Sequence, residues 1–215
     1  MVGDSDIARA FYAGRYAEIL EATQDEGADV AADDVAFVVG ALTFLDRVDE
    51  ARAMVDAWRS RTGADGDPQT RAACRFFLGL AAARAGYFDR SIQLLVRDAF
   101  GDRHHADPWV RALVFQGIAC QCYFTGRYPG AARNALRALH AAHEAKFLYA
   151  AMVATDMRGH SLVQMGQLQR GIAMLEQAKK QAHRLGLTNN AYAVDTSIAT
   201  YVTRFVPNAE SLERV

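Results

Sequence analysis

Three glycines, Gly86, Gly126 and Gly166, fall at intervals of 40 along this 215-residue chain, and each is followed two residues later by a large apolar side chain: Phe88, Tyr128 and Leu168. A fixed period of this size marks one supersecondary unit repeated along the chain, with neighbouring copies burying each other's apolar faces. One period earlier stands Asp46, with Val48 two residues on, and a shorter copy, Gly14-Arg15-Tyr16, lies near the N-terminus. A second chemical mark shares the spacing. Asp67-Pro68 and Asp107-Pro108 each set a carboxylate that can cap a helix before a proline that suits its first turn, where the backbone N–H has no intrahelical partner.

Between these marks the apolar pattern has helical spacing. Leu78, Gly79, Ala82 and Ala85 form one stripe, and Ile118, Ala119, Cys122 and Thr125 repeat it one period later. After each glycine a partner stripe begins: Phe88, Ile92, Leu95; then Tyr128, Ala132, Ala135, Leu139; then Leu168, Ile172, Leu175, Ala178. Each unit therefore reads as a helix-turn-helix hairpin. The expected hairpins span 4–24, 33–60, 68–99, 108–144 and 147–185, with a further helix over 189–205. Breaks are expected at Gly63–Asp67 and Gly101–Ala106, and no long linker divides the chain, so residues 1–215 are expected to form a single all-α domain. Composition agrees, since four prolines and a 51% apolar content favour long helices around a large core.

In these residues the chain resembles the tetratricopeptide repeat family. The family's pattern is a small residue in the first helix, a glycine turn seven residues on, an aromatic two later and a small residue three further. Gly79, Gly86, Phe88 and Ser91 match it, as do Ala119, Gly126, Tyr128 and Ala131, and Gly159, Gly166, Leu168 and Gly171. The unit is longer than the family's usual 34 residues, as in the long-helix versions of bacterial signalling regulators, and the first two units fit the pattern poorly. The resemblance implies a right-handed α-solenoid of about five hairpins plus a C-terminal helix, with the first helices lining a concave groove.

Catalytic motifs are missing: there is no Gly-rich phosphate loop, His-Glu-x-x-His, CxxC pair or Gly-x-Ser-x-Gly. The adjacent His104 and His105 lie near Asp102 and Asp107, but no third ligand at fixed spacing accompanies them, so a surface linker is expected and no metal or cofactor. Cys74, Cys120 and Cys122 have apolar neighbours and are expected as reduced core thiols; the Cys-x-Cys sulfurs would point about 200° apart on a helix. The acidic N-terminus does not read as a secretory signal, and the longest apolar run, Ala36 to Leu45, is far short of the roughly 20 residues that span a bilayer. A cytoplasmic protein without a membrane partner is expected.

Charge is divided unevenly. Residues 1–66 hold 14 acidic and 6 basic side chains, a balance of −8, whereas residues 67–215 hold 11 and 18, a balance of +7. An acidic partner or head-to-tail self-association is the functional reading, and a solvated outer surface, with His140 and His143 beside Arg133 and Arg137, is the plain one. Nucleic acid is disfavoured by a pI of 6.6 and by the lack of a recognition motif.

Projected onto this chain, the family's groove is lined by Phe44, Phe76, Leu80, Arg84, Gln116, Tyr123, Phe124, Asp156, His160 and Gln164. Aromatic anchors among long polar side chains suit an extended peptide or partner helix. A terminal helix lying in the groove would instead bury about half of them. The expected function is a non-enzymatic protein- or peptide-binding module in bacterial signalling. Alternatives are the N-terminal regulatory domain of a larger signalling protein, with an effector such as a cyclase, kinase or transcription factor beyond residue 215, and a hydrolase using Asp156 and His160. The last segment, Pro207 to Val215, reads as a second helix just beginning, which leads to the expectation of either a longer chain or a homodimer joined at that end.

Overall fold

The computed structural model describes residues 5–25, 30–31, 34–62 and 67–205. Of the expected break at Gly63–Asp67 only Asp67 is among them, and the expected helix after Val206 lies outside them. Among the described residues there are eleven α-helices and no strand: α1 (Asp6–Tyr12), α2 (Tyr16–Asp25), α3 (Val35–Phe44), α4 (Val48–Thr62), α5 (Pro68–Arg84), α6 (Phe88–Ile92), α7 (Pro108–Phe124), α8 (Tyr128–Glu144), α9 (Leu148–Gln164), α10 (Leu168–Arg184) and α11 (Thr188–Phe205). They pack in sequence-adjacent pairs, and the odd-numbered helices α1 to α9 also stack on one another, forming a continuous row flanked by the even-numbered ones.

One turn chemistry ends seven of these helices. Gly14, Asp46, Gly86, Gly126, Lys146, Gly166 and Gly186 all take positive φ, between 53° and 80°. In each case the next residue's N–H donates to the carbonyl five positions before it, from Arg15 to Ala10 through Leu187 to Ala182, at 2.8–2.9 Å. This is the Schellman closure, which satisfies a carbonyl that the helix leaves unpaired. Glycine adopts the conformation freely, whereas Asp46 and Lys146 bear a steric cost of roughly 1–2 kcal/mol. Helix starts agree with the sequence reading too: Asp67 accepts from the Thr70 N–H and Asp107 from the Trp109 N–H, each with proline in the first turn.

From α7 to α10 every helix has 17 residues, and close approach replaces bulk. A Cβ added to Gly159 would lie 3.1 Å from the Gly171 carbonyl, and one on Gly171 would lie 2.9 Å from that of Gly159, so α9 and α10 touch backbone to backbone. Earlier units differ. The helix expected to continue to residue 99 ends at Ile92, passes through one wide π-type turn at Gln93–Arg97 and then a 3-10 turn at Phe100–His104. Leu95, carried by the wide turn, seats on both Gly79 and Gly117. Arg75 anchors the chain beyond the wide turn, donating to the Asp98 carbonyl at 2.6 Å and pairing with the Asp102 carboxylate.

The N-terminal hairpin turns inward. Phe11 meets Tyr16, Phe37, Phe44, Phe77 and Tyr149 at ring-centroid distances of 5.4 to 6.1 Å, and Tyr12 packs with Tyr149 at 5.6 Å. A Cβ on Gly14 would stand 2.7 Å from the Asn189 side chain. The row of odd-numbered helices thus curves until α1 reaches α9 and the start of α11.

Candidate functional site

The ten residues projected onto the inner row divide into buried and accessible ones. Phe76 and Gln116 are buried, 3% and 1% exposed, and present no surface to a ligand. Phe44 is stacked on Tyr16 at 5.0 Å with an interplanar angle of 14°, and Leu80 packs against the same core. Arg84 is exposed, its guanidinium 5.8 Å from the Phe44 ring. Phe44 is therefore covered by Phe11 of α1 and Tyr16 of α2, because those rings gain more by joining it than by facing water.

Farther along, Tyr123, Asp156, His160 and Gln164 come together. The Tyr123 and Tyr201 hydroxyls are 3.2 Å apart, and Tyr201 OH lies 2.8 Å from His160 Nδ1. His160 Nε2 stands 3.3 Å from Asp156 Oδ1, an ion-pair distance without hydrogen-bond geometry, so that buried oxygen has no hydrogen bond. Asp156 and His160 are four apart on α9, one turn of the same face. Burial first, and the Tyr201 hydroxyl next, push the Tyr123 phenol above its ordinary range, with Gln164 acting the other way. Tyr123 thus stays protonated at neutral pH and serves as a hydrogen-bonding group.

Tyr123 differs from its expected role. It is half-buried, with edge contacts to Tyr128 and Phe124 at 5.6 and 6.1 Å, so it has packing partners where an unencumbered anchor was expected. Phe124 is the open aromatic, 42% exposed. The sequence reading missed Tyr201: its counterparts one and two periods earlier, Ser161 and Gln121, are buried and were not among the groove candidates, so the period gave no sign of it.

The remaining candidate chemistry is accounted for by local contacts. His104 Nε2 accepts from Arg103 Nε at 3.1 Å, His105 Nδ1 accepts from the Asp107 N–H at 3.1 Å, and Asp102 is engaged by Arg75. Among the described residues no group of three or more His, Cys, Asp or Glu side chains is placed to hold a metal, and no helix is long and apolar enough to cross a membrane. All three cysteines are free; burial pushes the Cys74 and Cys120 thiols up to about 12.

Searches against protein-family models and against curated proteins gave no match for this chain.

Proposed function

We propose that the chain is a tetratricopeptide-like right-handed solenoid that binds a protein or peptide, in cytoplasmic signalling, through the polar and aromatic surface of α7, α9 and α11. The observation that carries this reading is the convergence of Tyr123, His160 and Tyr201 from three different helices beside the exposed Phe124. Such a surface offers an apolar anchor together with hydroxyl and imidazole groups that set register. The excess of basic side chains after residue 67 favours an acidic partner.

A hydrolytic role for Asp156 and His160 has weaker support. The Nδ1 that faces away from the carboxylate is occupied by a tyrosine hydroxyl rather than by a serine or cysteine nucleophile.

Recovery of a partner from cell lysate, followed by titration, tests the binding reading. Phe124→Ala is expected to weaken the complex by about 1–3 kcal/mol with little change in melting temperature. Unchanged affinity in Phe124→Ala and His160→Ala together would move the site elsewhere.

A further inference from the structure

The peptide surface occupies one stretch of a longer edge. Gln69 at the start of α5 donates to Asp107 before α7 at 2.8 Å, and Trp109 at the start of α7 stacks on Phe147 before α9, ring centroids 4.6 Å apart. At the other ends Ser91, just past the α5 turn, donates to Gln121 of α7 at 3.0 Å, and the His160 ring of α9 lies 6.0 and 5.6 Å from those of Tyr123 and Tyr201. Helices α5, α7, α9 and α11 therefore run parallel, and their C-terminal ends share one edge.

Each of these ends leaves a large apolar side chain open. Tyr87 and Phe88 follow α5, Phe124 ends α7, Met165 follows α9 and Phe205 ends α11, all 38% to 65% exposed. Arginines stand among them: Arg84, Arg90, Arg127, Arg170 and Arg204 are exposed at the same ends, against one described carboxylate, Asp89. Arg127 donates to Thr125 and Arg170 to Gln167, while Arg84 lies by the Phe44 ring and Arg204 by that of Phe205. Those neighbours are neutral. None of the five arginines has an ion pair among the described residues, so their charge is uncompensated.

Helix dipoles do not set the sign here, because C-terminal ends of odd-numbered helices meet N-terminal ends of even-numbered ones. The character stops at α3. There Asp46, Asp49 and Glu50 follow the exposed Leu45, and Arg47 and Arg52 are paired with Glu50 and Asp49.

We infer that the edge formed by the ends of α5 to α11 docks on an anionic lipid surface, with its arginines at the headgroups and Phe88, Phe124 and Phe205 at the boundary with the acyl chains. Arginines near such a surface are attracted by its negative potential, and aromatic rings settle at the interface. A membrane fits better than an acidic peptide because these side chains stand on separate helix ends, about 8–10 Å apart for packed neighbours, and a fluid surface receives each without a matching register. The sequence expectation of no membrane partner rested on a leader and on spanning length, which surface docking does not need.

The test is co-sedimentation of the full chain with phosphatidylcholine vesicles, with and without phosphatidylserine. Binding is expected with phosphatidylserine alone, and it should fall as salt is raised. Arg90→Glu combined with Arg127→Glu should weaken it about tenfold or more, and Phe88→Ala combined with Phe124→Ala about tenfold. The arginine pair is wholly on the surface and keeps the test decisive should the ring variant fold poorly. Leu148→Ala, at the exposed start of α9 on the opposite edge, should leave binding unchanged. His160→Ala should weaken capture of a protein partner without affecting vesicles, so this inference and the peptide reading fail separately. The assignment is overturned by lack of phosphatidylserine-dependent binding, by undiminished binding of the arginine variant or of a folded ring variant, or by equal loss in Leu148→Ala. Capture of a protein that the arginine variant no longer holds, without vesicle binding, would make this edge a protein interface and equally overturn it.

Discussion

The helices before residue 100 and those after it share one turn and differ in how they pack. In α7 to α10 the contacts between helices are made by small residues: Ala131, Ala135, Ala138 and Ala142 on α8 have their side chains wholly buried, and Gly159 and Gly171 bring α9 against α10. In α1 to α5 the helices vary from 7 to 17 residues and are joined through rings, with Phe11 at the centre. Small residues require a fixed geometry, since backbones can approach only where helices have matched length and angle. Aromatic rings tolerate irregular spacing and fill it with area. The repeat is therefore regular where alanine and glycine enforce it, and irregular where rings bridge the gaps.

The largest test of this contrast is Phe11→Ala. Loss of a buried ring that contacts α2, α3, α5 and α9 should cost about 3–5 kcal/mol in denaturant unfolding. A cost below about 1 kcal/mol would mean that the inner row is stable without α1 docked in it.

Gly171→Ala probes the opposite region. The added methyl must push against the Val163 N–H and the Gly159 carbonyl, 2.8 and 2.9 Å away, and backbone cannot move as a side chain does. A cost of about 1–3 kcal/mol is expected, despite alanine's better helix propensity. Stabilisation would show that α9 and α10 separate easily and that their packing is no more exacting than that of the aromatic region.

Tyr201→Phe is gentler, removing only the hydroxyl shared by Tyr123 and His160. About 1 kcal/mol should be lost, read as faster amide exchange confined to α11. Uniformly faster exchange would indicate that α11 supports the whole row.

The smallest effect is chemical. At pH 8 a thiol reagent should label half-buried Cys122 first and leave Cys74 and Cys120 nearly untouched, because burial holds both far from the thiolate form. Their protection belongs to the protonated folded state: it is complete below the ordinary thiol value of 9.0 and is lost as the pH climbs toward about 12. Fast labelling of Cys74 alone would reveal local opening of the aromatic region.

Much of the fold was legible from the chain because its signals are local. A glycine at positive φ and an aspartate before a proline involve only a few consecutive residues, and both recur every 40, so hairpin ends fall close to their expected places. Even Asp46, which lacks glycine's freedom, was found from the period. Lys146 and Gly186 were not recognised as turns, though they too lie 40 apart, since a lysine gives no sign of a left-handed conformation. The end of α6 at Ile92 was equally hidden, because the stripe Phe88, Ile92, Leu95 fits an unbroken helix as well as one with a wide turn.

The site was only half legible. Spacing on one helix places Asp156 beside His160 from the sequence alone. That Phe11 of α1 would meet Tyr149 of α9, and that Tyr201 of α11 would bridge to Tyr123 of α7, both depend on the curvature of the row. Each hairpin adds a small rotation to the one before it, so contacts between distant units arise from an accumulated angle that no local pattern encodes. The sequence determined the hairpins and their period; tertiary structure alone decided which inner faces remained open.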